Sequence, residues 1–200
     1  MKSSIVIVSF FVLGILSGYF EIIRLSIVDT DIGFYALCCL MFFVGLSLGN
    51  DSDTLKRFAM INPQFYLLPV ATIVGTLLGC AIISLILPGR SAIEAMVVGS
   101  GFGYYSLSSI FITEYKGAEL GTIALLSNIL RKIMALLFAP LFVKYFGRLA
   151  PISVGGATTM DTTLPIILKF SGKEFAVISV FHGFVLDLSV PILVTLFSSF

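Results

Sequence analysis

The sequence of 200 residues has no tryptophan, one histidine and three cysteines, and only 12 % of it is Asp, Glu, Lys or Arg. A soluble domain carries roughly 25 % charged residues, so a water-soluble globule is excluded first. The net charge of +1 comes from scattered Lys and Arg, which leaves no basic face for nucleic acid. Cys38, Cys39 and Cys80 lie in apolar runs without CxxC spacing, which reads them as small hydrophobes and not as disulfide partners or metal ligands. No cofactor is expected. What the chain has in excess is oil: 58 % of it is apolar, the composition of an integral membrane protein embedded in the lipid bilayer.

A membrane span needs roughly 17 to 25 apolar residues. Stretches near that length run over 5–20, 33–49, 65–87, 120–143 and 175–197. The first follows Lys2 and two serines, as a signal peptide would, but it lacks an A-x-A site and precedes further spans, so it reads as a helix of the mature chain. Two segments fit poorly as spans: 92–113, which takes in all but the last residue of "VGSGFGYYSLSSIFITE", and 151–168, "PISVGGATTMDTTLPIIL". Basic residues mark cytoplasmic loops. If both odd segments are re-entrant, Lys2, Lys56, Arg57, Lys144, Arg148, Lys169 and Lys173 share one side against Arg24, Arg90 and Lys116. If both span, the split is six against four. The sharper split favours an all-α protein of five transmembrane helices plus two broken, re-entrant hairpins, with the N-terminus inside and the C-terminus outside. Seven spans is the alternative.

Sliding the chain by 55 residues superposes Gly101 on Gly156, Ser106 on Asp161, Gly117 on Gly172, Glu119 on Glu174 and Ser127 on His182. Each unit then consists of a glycine-rich break, an apolar return, a Gly-plus-charge loop and a long helix. The expected organisation is a three-helix scaffold or oligomerisation segment, 1–90, and a transport core, 91–200, whose repeats 91–145 and 146–200 have opposite orientation. Inverted repeats whose broken helices meet near the midplane are a recurring transporter plan.

Non-helical backbone at membrane depth must be buried in protein or line a water-filled cavity. Gly99, Gly101 and Gly103, and then Gly155 and Gly156, would let a ligand approach backbone N–H groups at the start of a half-helix, a setting that suits a carboxylate. Close helix packing through small residues explains glycines as well. It does not explain Tyr104, Tyr105, Ser106, Ser108, Ser109, Thr158, Thr159, Thr162 and Thr163. Asp161, far from either end of its segment, must be neutralised, paired or solvated. Glu114 closes the first odd segment, where a solvated surface carboxylate beside Lys116 is the plainer reading. On the long helices, Asn128 and Arg131 share a face, and Lys132 points about 100° away, to pair with Asp187 or to snorkel. His182 is either a helix-to-helix hydrogen bond or a proton-relay group.

These stretches resemble one family. "SGFGYYSLS…TE" at 100–114, "GGATTMDTTLP" at 155–165, "HGFVLDLSVPIL" at 182–193 and "FFVGLSLGNDSDTLK" at 42–56 are similar to the lysine exporters, bacterial and archaeal membrane proteins that expel L-lysine and its analogue thialysine. The resemblance implies acidic residues needed for export, here Glu114 and Asp161, with Arg131 and His182 in matching surroundings. Asp187 stands where the family is not expected to carry an acid and takes lower weight. Single-chain members have about three further helices ahead of the matched part. A small companion membrane subunit would then supply them, or the chain would work as a homo-oligomer in the plasma or inner membrane. Glu114 and Asp161 suit the substrate's ammonium groups, and a carboxylate that holds either an ammonium or a proton would couple lysine export to proton entry. The chain is expected not to be an enzyme. An intramembrane aspartyl protease would need a GxGD motif, which is absent. A cation/proton antiporter, an organic-anion symporter and a non-transporting receptor are the remaining alternatives.

Overall fold

The computed structural model describes residues 58–86 and 89–200, with isolated positions between 13 and 56. The chain divides into two compact units, Met1–Asn50 and Asp51–Phe200. The expected spans over 5–20 and 33–49, and the motif at 42–56, lie outside the described residues apart from such isolated positions.

In the second unit all regular structure among the described residues is helical. Asn62 accepts the Gln64 N–H at 3.2 Å, and Pro63 opens a short 3-10 turn, Pro63–Tyr66, that leads into α1, Leu67–Ser84. A reciprocal pair of bonds starts α2, Ala92–Gly99: the Glu94 N–H donates to Ser91 Oγ at 3.1 Å, and the Ser91 N–H to the Glu94 carboxylate at 3.0 Å. Then come α3, Tyr105–Lys116, and α4, Ala118–Phe146. Next are α5, Ala150–Gly155, a 3-10 turn, Gly156–Met160, and α6, Leu164–Phe170. A last 3-10 turn, Lys173–Phe175, enters α7, Ala176–Ser198.

Among the described residues three helices are long and apolar enough to cross a membrane: Pro63–Ser84, Ala118–Phe146 and Lys173–Ser198. They coincide with the expected stretches 65–87, 120–143 and 175–197. Each of the two odd segments is broken in the middle and turns back on itself. Arg90, just ahead of α2, pairs with Glu119 in the first turn of α4, which directly follows α3. The start of α2 and the end of α3 therefore lie at the same end of α4. In the second segment Arg148, ahead of α5, pairs at 3.1 Å with Glu174, which follows α6. Both hairpins thus have their feet clasped by an Arg–Glu pair, and both send a tip inward.

Candidate functional site

The tips meet. Phe102 has a φ of 44° and Gly103 one of 90°, a left-handed pair that reverses the chain between α2 and α3. At the second tip Gly156 has a φ of 62°. A side chain there would run into the Phe102 carbonyl oxygen, so glycine is what permits the approach. The contact is a backbone hydrogen bond, with the Ala157 N–H donating to the Phe102 carbonyl at 2.9 Å.

Breaking a helix frees backbone groups that need partners when buried. The two tips find them differently. Asn128, midway along α4, accepts the Gly103 N–H at 2.7 Å and donates to the carbonyls of Val98 at 3.2 Å and Ala124 at 2.9 Å. Gly101 lies so close that a Cβ would come within 2.5 Å of the Asn128 amide nitrogen. The second tip is tied largely by its own hydroxyls. Thr158 Oγ donates to the Gly155 carbonyl at 2.7 Å, and Thr159 Oγ lies 2.8 Å from the carbonyls of both Gly156 and Ser179. His182, fully buried on α7, stands with Nδ1 3.4 Å from Thr159 Oγ1 and Nε2 3.0 Å from Thr72 Oγ1 on α1. It is a bridge between α1, α7 and the second tip.

Charged groups collect around this junction on two sides. On one, Arg131 of α4 donates from Nε to the Val154 carbonyl at 2.9 Å, from Nη2 to the Ser153 carbonyl at 3.0 Å and from Nη1 to Thr76 Oγ1 at 3.3 Å. On the other, Asp161 is exposed, and one of its oxygens accepts both the N–H of Thr162 and, at 2.9 Å, its hydroxyl. Asp187 is buried on α7, and one oxygen of its carboxylate has no hydrogen-bond partner. Asp161, Asp187 and the Tyr104 phenol lie within electrostatic reach of one another. Of the two readings of Lys132, the pair with Asp187 does not form: Lys132 sits over the Tyr105 ring, 5.3 Å from its centroid.

The structure therefore gathers Gly101, Gly103, Tyr104, Asn128, Arg131, Gly156, Thr158, Thr159, Asp161, His182 and Asp187 at the junction, with Tyr105 and Thr162 adjoining. Ser106 is exposed in the first turn of α3. Glu114 is exposed in the last turn of α3, at the foot of the hairpin and away from the tip. The sequence reading missed Thr72 and Thr76, which flank Gly75 in an otherwise apolar helix. Two hydroxyls at i and i+4 put both on one face, and that was the available signal.

The family described as "Lysine exporter LysO" matches residues 8–198. A protein of Haemophilus influenzae whose name offers it as a lysine exporter is 37 % identical over 166 residues, 83 % of this chain and 84 % of that one. The protein named Lysine exporter LysO in Escherichia coli is 35 % identical over 170 residues, 85 % of this chain and 56 % of its own. The alignment therefore spans little more than half the length of the Escherichia coli relative. No solved structure matches. A membrane protein of helical hairpins that this family covers almost end to end belongs to the lysine exporter family.

Proposed function

We propose that the chain exports L-lysine, and thialysine with it, by proton antiport with alternating access. The observation that carries this reading is the junction of the two hairpin tips, Ala157 N–H to Phe102 carbonyl, beside the two carboxylates Asp161 and Asp187. Lysine export by the named relatives supports the substrate. The clasped feet of both hairpins support re-entrant segments, hence five spans, an inverted repeat, an inside N-terminus and an outside C-terminus in the inner membrane. The hairpins with α4 and α7 move against the scaffold helices of residues 1–90.

Asp161 offers a carboxylate to a substrate ammonium or to a proton. Occupancy by one excludes the other, which couples the two fluxes. Expelling one positive charge against an inside-negative potential costs about 2.3 kcal/mol per 100 mV, and one entering proton returns the same amount. One-for-one exchange is then electroneutral and draws on the pH gradient alone.

The test is lysine flux in proteoliposomes under separately imposed pH gradient and potential, with and without a co-purifying small membrane subunit. The pH gradient should drive accumulation and the potential alone should not. Asp161→Asn should reduce flux at least 100-fold with the protein still inserted, and Glu114→Gln is the second arm. Unchanged flux in both variants refutes the acidic site. Sodium flux without lysine counterflow would favour a cation/proton antiporter.

A further inference from the structure

We infer that the substrate's carboxylate binds not at the glycine-rich tips but in a separate cavity, between α1, α4 and α5, against the guanidinium of Arg131. The inference rests on the export reading for the identity of the substrate, and on geometry for the place.

The tip amides that would have received a carboxylate are taken. The Gly103 N–H is bonded to Asn128, and the Ala157 N–H to Phe102. The first turn of α3 is no better, because Asp161 and Asp187 lie within electrostatic reach of Tyr104 at its start and repel an anion. Against Arg131, between α1 and α5, a wide-mouthed cavity of about 380 Å³ is lined by Thr72, Gly75, Thr76, Arg131 and Ser153, among others. That volume is within the roughly 300–1,000 Å³ of small-molecule sites.

Among the described residues, Arg131 is the one charge on its wall. Its Nε and one Nη bond the last carbonyls of α5, which reads at first as a helix cap. A cap accounts for only part of it. A helix C-terminus carries at most about half a negative charge, so a positive remainder persists. No carboxylate among the described residues lies within ion-pair distance of this guanidinium. Three of its five N–H donors bond to described residues, and two have no partner among them. Arg131 stands midway along α4, too deep for a lipid headgroup. A half-buried cation at membrane depth without a counter-ion is costly, and an anion arriving with the substrate lowers that cost. Thr76, already bonded to Nη1, holds the guanidinium toward the cavity, and Gly75 leaves room beside it.

Lysinamide keeps both ammonium groups of lysine and lacks the carboxylate, whereas 6-aminohexanoate keeps the carboxylate and lacks the α-ammonium. In counterflow, lysinamide should compete roughly 10- to 100-fold more weakly than lysine, the loss of one charge-assisted hydrogen-bond set. In Arg131→Gln the affinity for lysine should fall to the lysinamide level while that for lysinamide stays unchanged. A purely structural Arg131 would weaken both equally, and that result overturns the inference, as does equal competition by lysine and lysinamide in the unaltered chain. If Arg131→Gln fails to assemble, Thr76→Val decides: a selective, smaller loss for lysine supports the subsite, and no change in the lysine-to-lysinamide ratio refutes it. Equilibrium dialysis with 6-aminohexanoate reads the cavity without flux. Its binding to the unaltered chain and not to Arg131→Gln upholds the subsite even where lysine is not transported, and its failure to bind refutes the subsite even where lysine is.

Discussion

At the first hairpin tip the reversal is tied from outside, by an amide on the neighbouring long helix: Asn128 takes the Gly103 N–H and returns a donor to Val98. At the second the reversal is tied mainly from within, by the hydroxyls of Thr158 and Thr159, while the long helix offers the Ser179 carbonyl to Thr159 and a histidine 3.4 Å from the same hydroxyl. The difference has a chemical consequence. A backbone N–H held by one amide has no alternative partner when that amide is lost, whereas hydroxyls can rotate to nearby carbonyls. The first tip is the more rigidly specified, and the second, which carries Asp161 in its return, has the means to rearrange.

The comparison breaks most severely where the tips touch. Gly156→Ala puts a Cβ onto the Phe102 carbonyl at a φ that an L-residue avoids. Overpacking and backbone strain together should cost about 2–5 kcal/mol and prise the tips apart. Gly103→Ala shares the unfavourable φ, but its Cβ would meet the Gly155 carbonyl at a milder 3.3 Å, so its loss should be smaller. Circular-dichroism melting in detergent measures both, and equal losses would show that strain alone, and not the meeting of the tips, sets the cost.

A middle-sized effect sharpens the contrast in tying. Asn128→Leu keeps the branched heavy-atom shape and strands the buried Gly103 N–H, for about 1–3 kcal/mol. His182→Leu removes a partner from Thr159, which keeps the carbonyls of Gly156 and Ser179, and from Thr72, whose hydroxyl can turn to a carbonyl one helical turn back, so it should cost less than about 1 kcal/mol. Were His182→Leu the more damaging in the same melting experiment, the second tip would depend on its long helix as much as the first.

Much of this arrangement was legible in the sequence because it is local. Glycines with hydroxyl residues in an oily chain announce a break, and the 55-residue offset that matched Gly117 to Gly172 and Glu119 to Glu174 matched residues that enter α4 and α7 alike. Positions 117 and 172 both have left-handed φ, at 89° and 119°, and both glutamates are ion-paired. Their partners escaped the offset, because Arg90 and Arg148 stand 58 positions apart and not 55. What could not be read is what depends on docking. Thr158 and Thr159, read as ligand groups, are occupied with freed carbonyls. The carbonyls of Ser153 and Val154 that receive Arg131 have no sequence signature at all. Asp187, set below Asp161 for want of a family precedent, lies buried within electrostatic reach of it.

The smallest expected effect concerns the clasps. Arg148 and Glu174 are both largely exposed, and an exposed pair couples by about 0.2–1 kcal/mol, falling with salt. Arg90 is only about one-third exposed and faces two carboxylates, Glu119 and, at 3.8 Å, Glu94. Its charge is better shielded from water and shared between two partners, so a double-mutant cycle of Arg90→Ala with Glu119→Ala should give the larger coupling and the weaker dependence on salt. The feet of the first hairpin would then be pinned as its tip is, and the looser clasp of the second would leave the Asp161 arm the more mobile of the two. A cycle in which Arg148–Glu174 coupled more strongly would reverse that assignment and make the first hairpin the moving one.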